Sequence, residues 1–248
     1  MTGGATGIGA ALKQKLKEQG HQVISVDIKE ADIIADLSKA ESRQLAVNSI
    51  IEMSPEGIDG FIPVAGLGPT AADWRLILAV NFFAARYMTE QLKDHLAKKQ
   101  GRVVIVSSNS SSLSGFDKDL VSAMLDENDE DKAKELIQHL DGHNAYGGSK
   151  KALTCWMRRR VPDFAKDGVC MNAIAPGATM TPLLQEGLDD QKYGDAIRGF
   201  KGPANRFAEP GEIADAILFL LSKQSAYICG AVLFADGGMD AQLRPDRF

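Results

Sequence analysis

Cysteine is scarce. Cys155, Cys170 and Cys229 are the only three in 248 residues, an odd number spaced far apart, with no C-x-x-C and no neighbouring histidine at metal-ligand spacing. Neither a disulfide framework nor a metal site is indicated, and reduced, mostly buried thiols in a cytoplasmic protein are expected. No uninterrupted apolar run reaches the ~18 residues of a membrane span, and the first residues show no basic region followed by an apolar core. Neither membrane insertion nor export is therefore expected. Positive charge is also in deficit, with 28 Lys and Arg against 33 Asp and Glu for a net charge of −5. The one basic cluster, Arg158-Arg159-Arg160, falls in a helical stretch and reads as a solvated face, so nucleic acid is not an expected partner. Internal repeats, low-complexity tracts and linkers are missing too, and a chain of this length is expected to form one domain.

What is present is an alternation of short β-rich runs and longer helical patterns. QVISVDI (22–28), DIIADL (32–37), IDGFIPVAG (58–66), GRVVIVSS (101–108), VCMNAIAPG (169–177) and AVLFADGG (231–238) read as strands. Helical stretches lie near 7–20, 40–53, 74–98, 146–166 and 210–222, the last opened by Pro210 as a first-turn proline. That order predicts βαβ units and a parallel sheet in an α/β domain. Ligands of such sheets sit at the carboxyl ends of the strands, where this chain places Gly, Ser, Asp and Asn.

The first of those ends is Thr2-Gly3-Gly4-Ala5-Thr6-Gly7-Ile8-Gly9, which runs straight into a helical pattern. Glycines at this density let backbone approach a phosphate, whose charge the free N–H groups of a helix N-terminus then hold. No Lys-Ser/Thr pair follows, which disfavours a triphosphate loop, and a glycine turn without a ligand remains the alternative. Asp27 ends the next strand. A carboxylate there accepts hydrogen bonds from ribose hydroxyls and repels a 2′-phosphate by on the order of 4 kcal/mol at about 4 Å and an effective dielectric near 20. NAD is therefore expected over NADP, with Lys29 as the one nearby cation that opposes this.

In AYGGSK (145–150), Tyr146 and Lys150 are one helical turn apart and share a face. A lysine ammonium near a phenol lowers the tyrosine pKa toward working pH, as a general acid/base requires. A bare Y-x-x-x-K is more often a half-buried tyrosine and a solvated lysine; what decides is its context. With Thr2, Gly3, Gly7 and Gly9 matching T-G-x-x-x-G-x-G, Tyr146, Ser149 and Lys150 matching Y-x-x-S-K, and Pro176, Gly177 and Thr181 matching P-G-x-x-x-T, the chain resembles the short-chain dehydrogenase/reductases over essentially its whole length. The resemblance implies a Rossmann-type doubly wound fold and NAD as cofactor. It implies catalytic roles for Asn81, Ser108, Tyr146 and Lys150: Tyr146 exchanges the proton with the substrate oxygen, Ser108 hydrogen-bonds that oxygen, Lys150 lowers the tyrosine pKa and binds the nicotinamide ribose, and Asn81 anchors a water that relays protons to Lys150. The implied cofactor contacts are Gly3, Thr6, Gly7, Ile8, Asp27, Asp36, Leu37, Ala65, Gly66, Tyr146, Lys150, Pro176, Gly177, Thr179 and Thr181, with Asp36 and Leu37 against the adenine.

Within that family the chain resembles the bacterial 3α-hydroxysteroid dehydrogenase/carbonyl reductases, through AGLGP (65–69), the insertion after Ser108, IAPGATMTPLLQ (174–185) and the ending DGGMDAQLRPDRF. This implies a small hydrophobic alcohol or ketone as substrate, bound by Ser108, Tyr146, Met180, Leu183 and Leu184. A loop at about 179–207 would cover it with Tyr193, Ile197 and Phe200, though most of these apolar side chains are as readily explained by packing of the loop itself. A dehydrogenase of another small alcohol or diol is the alternative, and an NAD-binding regulator without turnover is the alternative of another class. Four departures stand out. Pro63-Val64-Ala65-Gly66 replaces the family's N-N-A-G, and the stretch from Gly66 to Asn81 is short, which should open one wall of the site. A helical insertion at about 112–142, two short helices about the acidic break DENDED (126–131), should block a usual pairing surface and leave a homodimer through another one. The residues that would form a central first strand ahead of the glycine loop are also missing from the sequence as written, and a truncated start is the expectation.

Overall fold

The computed structural model describes residues 1–247. Helix α1 (Gly7–Glu18) precedes β1 (Val26–Asp27) and β2 (Ile33–Ile34), and α2 (Ala40–Met53) precedes β3 (Gly60–Phe61). A long helical segment follows in pieces: α3 (Trp74–Leu78), a π-helical turn (Ala79–Ala84), α4 (Ala85–Gln91) and α5 (Lys93–Ala97). Then come β4 (Arg102–Val106), α6 (Lys118–Ser122), α7 (Glu130–Leu136), α8 (Gly142–Lys166) and β5 (Cys170–Pro176). The chain closes with α9 (Pro182–Asp189), α10 (Gly194–Gly199), α11 (Pro210–Leu221), β6 (Val232–Ala235) and α12 (Met239–Leu243).

Every strand pair is parallel, β2 beside β1 and β3-β4-β5-β6 in order, and Thr2 joins the two sets by bridging to Val26 on one side and Pro63 on the other. This is the expected α/β, Rossmann-type doubly wound sheet in a single domain. β1 and β3 are shorter than the runs 22–28 and 58–66, and between them residues 1–3 make the pairing: Val26 N–H donates to the Met1 carbonyl, Thr2 N–H to Ile62 and Gly3 N–H to Val26.

The sheet is buried on both faces, so its strands are apolar throughout rather than alternating. Val103 and Ile105 of β4 enter one core with Phe82, Met88 and Trp156, while Val104 and Val106 enter the other with Leu12, Ile213 and Ile217. Helix α8 begins at Gly142, a turn earlier than the reading of 146–166, because the Asp141 carboxylate accepts the Asn144 N–H at 2.8 Å as an N-cap. The cysteines are less buried than expected: Cys155 and Cys170 are half-buried and Cys229 is exposed, all three free. Among the described residues no helix is long and apolar enough to cross a membrane, and no group of His, Cys, Asp and Glu has the makings of a metal site.

Candidate active site

The glycine loop and its neighbours form one rim at the carboxyl end of the sheet. Gly3 has φ +70, and a Cβ there would stand 2.5 Å from the Ala65 amide nitrogen. At Gly9 it would stand 1.8 Å from the Gly3 carbonyl, so the first turn of α1 is packed directly on the loop. Thr6 occupies the N-cap position of α1 without a side-chain cap bond, and no acidic residue sits in the first turn, so the loop presents free N–H groups for a phosphate, with Ile8 in that turn. Asp27 receives the Ala5 amide on Oδ2 at 3.0 Å and the Ile28 amide on Oδ1 at 2.7 Å, which fixes the carboxylate beside the loop. Lys29 is exposed, and Lys13 is committed to Ser25 Oγ at 2.8 Å. Asp36 accepts Ser38 N–H and Oγ–H, and these bonds hold its carboxyl below the usual range, while Leu37 behind it is buried. A dinucleotide fits this donor set: close glycine backbone, unused helix amides and a carboxylate at the next strand exit.

The second half of the site converges on the exits of β4 and β5. Lys150 is buried and donates from Nζ to the Val106 carbonyl at 2.8 Å. Burial lowers its pKa to about 8. Ser108 lies beyond that carbonyl at the end of the strand, its Oγ accepting from Ser110 N–H at 3.2 Å and Ser110 Oγ–H at 2.9 Å. Tyr146 faces Ser108 from α8. The direction of the tyrosine shift differs from the expectation: burial raises the phenol above its ordinary value, with the Ser108 hydroxyl acting the other way. The lysine does not counter this, because its ammonium is spent on Val106 and is itself weakened by burial.

Asn81 is buried in the π-helical turn and closes a two-way clamp on Leu67, accepting its N–H at 2.8 Å and donating to its carbonyl at 3.0 Å. A Cβ on Gly66 would meet Asn81 Oδ1 at 3.2 Å and Lys150 Nζ at 3.7 Å, so Gly66, Asn81 and Lys150 are neighbours. The side chain of Asn81 is thus committed to the loop rather than free for a water. π-helical turns often mark functional sites because their widened ring releases backbone groups.

Gly177 follows Pro176 at the β5 exit, and its N–H donates to Ala235. Thr179 is buried and donates to the Gly177 carbonyl at 3.0 Å. Thr181 caps α9 by accepting Leu184 N–H and packs on Gly7, where a Cβ would lie 3.0 Å from its Cγ2. Of the three apolar residues expected at the substrate, Met180 is 39% exposed, Leu183 packs on Gly68 and Leu184 is buried. Ile197 packs on Gly187 within the loop. The short stretch after Gly66 is backed by its neighbours, with Leu183 on Gly68 and Gly142 against the Pro69 carbonyl. A separate cavity of about 440 Å³ lies behind Gly177, between Phe200, Arg206 and Phe234, and does not include Ser108 or Tyr146.

Two pairs had no signal in the sequence reading. Thr154 donates to the Lys150 carbonyl at 2.7 Å and shares a 2.5 Å bond with Ser107, in which Ser107 is the donor because the threonine proton is already used. This pins the β4 exit to α8 on either side of Ser108 and Lys150. Phe116 of the insertion fills the space left by Gly147, where a Cβ would lie 2.3 Å from its ring.

The chain belongs to the short-chain dehydrogenase/reductase family. The profile described as "short chain dehydrogenase" matches residues 31–118, and that described as "Enoyl-(Acyl carrier protein) reductase" matches residues 134–240. The chain is 42% identical over 252 residues to the 3-alpha-hydroxysteroid dehydrogenase/carbonyl reductase of Comamonas testosteroni, covering 100% of this chain and 98% of that protein. It is 31% identical to a coniferyl-alcohol dehydrogenase of Pseudomonas sp., over 96% of this chain and 94% of that one. The crystal structure of a 3-alpha-hydroxysteroid dehydrogenase from Pseudomonas sp. B-0831, complexed with NADH, superimposes with TM-score 0.97 at 45% identity, covering 100% of this chain and 98% of that chain.

Proposed function

We propose that this chain is an NAD-dependent oxidoreductase that interconverts secondary alcohols and ketones, with 3α-hydroxysteroids and carbonyl compounds as its substrate class. The observation that carries the reading is the convergence of Ser108, Tyr146 and Lys150 at the β4 exit, beside a loop built for a dinucleotide. Bound NAD supplies the acceptor for the hydride that leaves the carbinol carbon. Ser108 Oγ and the Tyr146 phenol hold the substrate oxygen, where charge develops as the hydride moves, and a positioned donor pair stabilises it. Tyr146 takes the hydroxyl proton in oxidation and returns it in reduction. Lys150 and Asn81 keep the ribose side of the site in register, and Asp27 selects NAD. Met180 and Leu183 offer the apolar surface that a flat hydrophobic substrate needs, and the proteins that are 42% and 45% identical over the whole chain are a 3-alpha-hydroxysteroid dehydrogenase/carbonyl reductase and a 3-alpha-hydroxysteroid dehydrogenase.

The test is incubation of the protein with NAD and androsterone while NADH absorbance is followed. Turnover of the 3α-alcohol over its 3β-epimer is expected. Turnover of coniferyl alcohol with none of the steroid would make it a dehydrogenase of another small alcohol, and NAD binding without turnover of either would make it a regulator. We further propose a homodimer, because the insertion occupies the outer face of α8: Phe116 packs on Gly147, Leu120 lies over Gly148, and Arg159 pairs with Asp126 at 2.6 Å; three free cysteines support a place in the cytoplasm.

A further inference from the structure

Arg43, in the first turn of α2, is only 4% exposed, yet all three guanidinium nitrogens donate hydrogen bonds. Nε donates to the Leu37 carbonyl at 2.7 Å, and Nη2 donates to the carbonyls of Ser38 at 3.2 Å and Ala79 at 3.1 Å. The same fork grips Glu130 through both carboxylate oxygens, at 2.7 Å and 2.9 Å. One side chain thereby joins the turn after β2, the start of the π-helical turn that carries Asn81, and the first residue of α7. Burial pushes the Glu130 carboxyl up, but hydrogen bonds from Arg43 and Lys134 outweigh it and hold the group below its ordinary value.

A buried guanidinium needs a counter-ion, since an unpaired charge out of water is strongly unfavourable. Glu130 therefore keeps Arg43 in place, and Arg43 in turn holds two successive carbonyls of the 36–38 turn. Lysine cannot substitute, because it lacks the planar fork that serves a carboxylate and several carbonyls at once. Glu130 comes from residues 119–133, the stretch that lies between the two family matches. The insertion is thus tied to the turn after β2, which lies within the matched region 31–118.

We propose that Arg43 and Glu130 are positioning residues for the dinucleotide, through which the helical insertion sets the Asp36–Leu37 turn that receives the adenine. This rests on the reading that the adenine lies against Asp36 and Leu37. The Leu37 side chain is buried beneath that turn and its carbonyl is held by Arg43, so a shift of the guanidinium moves the turn on which the adenine would lie.

The experiment measures the Kd for NAD and for ADP-ribose, together with kcat at saturating NAD and the melting temperature, in Glu130→Gln, Arg43→Lys, their double variant and Leu37→Ala. Glu130→Gln should weaken ADP-ribose about fivefold and Arg43→Lys about tenfold or more, with kcat changing less than either affinity. The double variant should bind no more weakly than Arg43→Lys alone, because Glu130 acts through Arg43. If Leu37→Ala leaves ADP-ribose affinity intact, the adenine lies elsewhere and the inference falls with that reading. If Leu37→Ala weakens ADP-ribose while Glu130→Gln and Arg43→Lys only lower the melting temperature, the pair is structural and the positioning role is overturned. Should Arg43→Lys fail to fold, Glu130→Gln carries the same decision.

Discussion

The ammonium of Lys150 sits 2.8 Å from the carbonyl oxygen of Val106, which ties α8 to the strand whose exit carries Ser108. The bond holds a charged group where water does not reach, and burial lowers its pKa to about 8. Burial of this charge works against stability, and on the proposed function the group serves the reaction instead.

Lys150→Met should therefore abolish most turnover without lowering the melting temperature at pH 7. The sign follows from linkage. Between about pH 8 and the unfolded value near 10.4, the unfolded chain binds the extra proton, so this group's contribution to stability rises with pH and is least favourable below 8. The advantage of the methionine variant should shrink from pH 7 to pH 10 in thermal melts. A variant that melts well below the parent at pH 7 would show that the Val106 bond outweighs the burial cost.

Tyr146→Phe keeps the ring and removes the proton, so turnover should fall by a factor of ~100 or more while NAD affinity changes little. Because burial raises the phenol pKa, the neutral phenol is the proton donor needed for ketone reduction at neutral pH, and alcohol oxidation needs the phenolate. Oxidation should quicken by up to about tenfold per pH unit on the alkaline side, while reduction stays flat or declines. An oxidation rate that falls from pH 7 to pH 9 would contradict this assignment.

Replacing Asp27 by Ala or Ser should raise NADP affinity relative to NAD. The carboxylate is fixed by the Ala5 and Ile28 amides, so its charge cannot swing away from a 2′-phosphate, and the repulsion estimated at about 4 kcal/mol disappears only with the side chain. An unchanged ratio of the two affinities places the ribose elsewhere.

The site was legible in sequence where a residue type is dictated by backbone or by chemistry. Gly3 and Gly9 are glycines because backbone occupies the space of a Cβ, and Tyr146 and Lys150 share a face because a helix repeats every 3.6 residues. The tyrosine shift was not legible, since its sign depends on whether burial or the ammonium prevails, and burial is a property of the packed chain. Ser107 with Thr154, and Arg43 with Glu130, were invisible for a related reason: each pair joins segments far apart in sequence, and neither residue type alone signals a partner. The length of β1 followed pairing rather than propensity, because VISVDI is β-rich throughout yet its ladder with β2 covers only Val26 and Asp27.

Gly147→Ala should destabilise the insertion specifically. The added methyl would lie 2.3 Å from Cε1 of Phe116, a buried ring that also stacks near His143 at 5.1 Å and lies beneath the Lys151 ammonium at 5.7 Å. Overpacking of this kind costs about 1–3 kcal/mol, which should appear as a melting temperature lower by several degrees. Phe116→Leu in the same chain should restore much of the loss by freeing the space. A double variant no more stable than Gly147→Ala would mean that the glycine serves something other than the ring.

The insertion also bears on assembly. With α6 and the π-turn after it packed on α8, and with Arg159 and Asp126 paired across that contact, a second copy cannot use the same helix face without displacing the insertion. One free edge of the sheet is β6, and this strand and the segment before it carry exposed Leu233, Tyr227 and Phe219. Large apolar side chains beside an unpaired strand edge are the features that association covers. Light scattering should give a dimer, and Leu233→Lys with Phe219→Glu should give a monomer that still binds NAD. A tetramer that persists when residues 117–140 are altered would remove the argument, because the insertion would then have no part in limiting assembly.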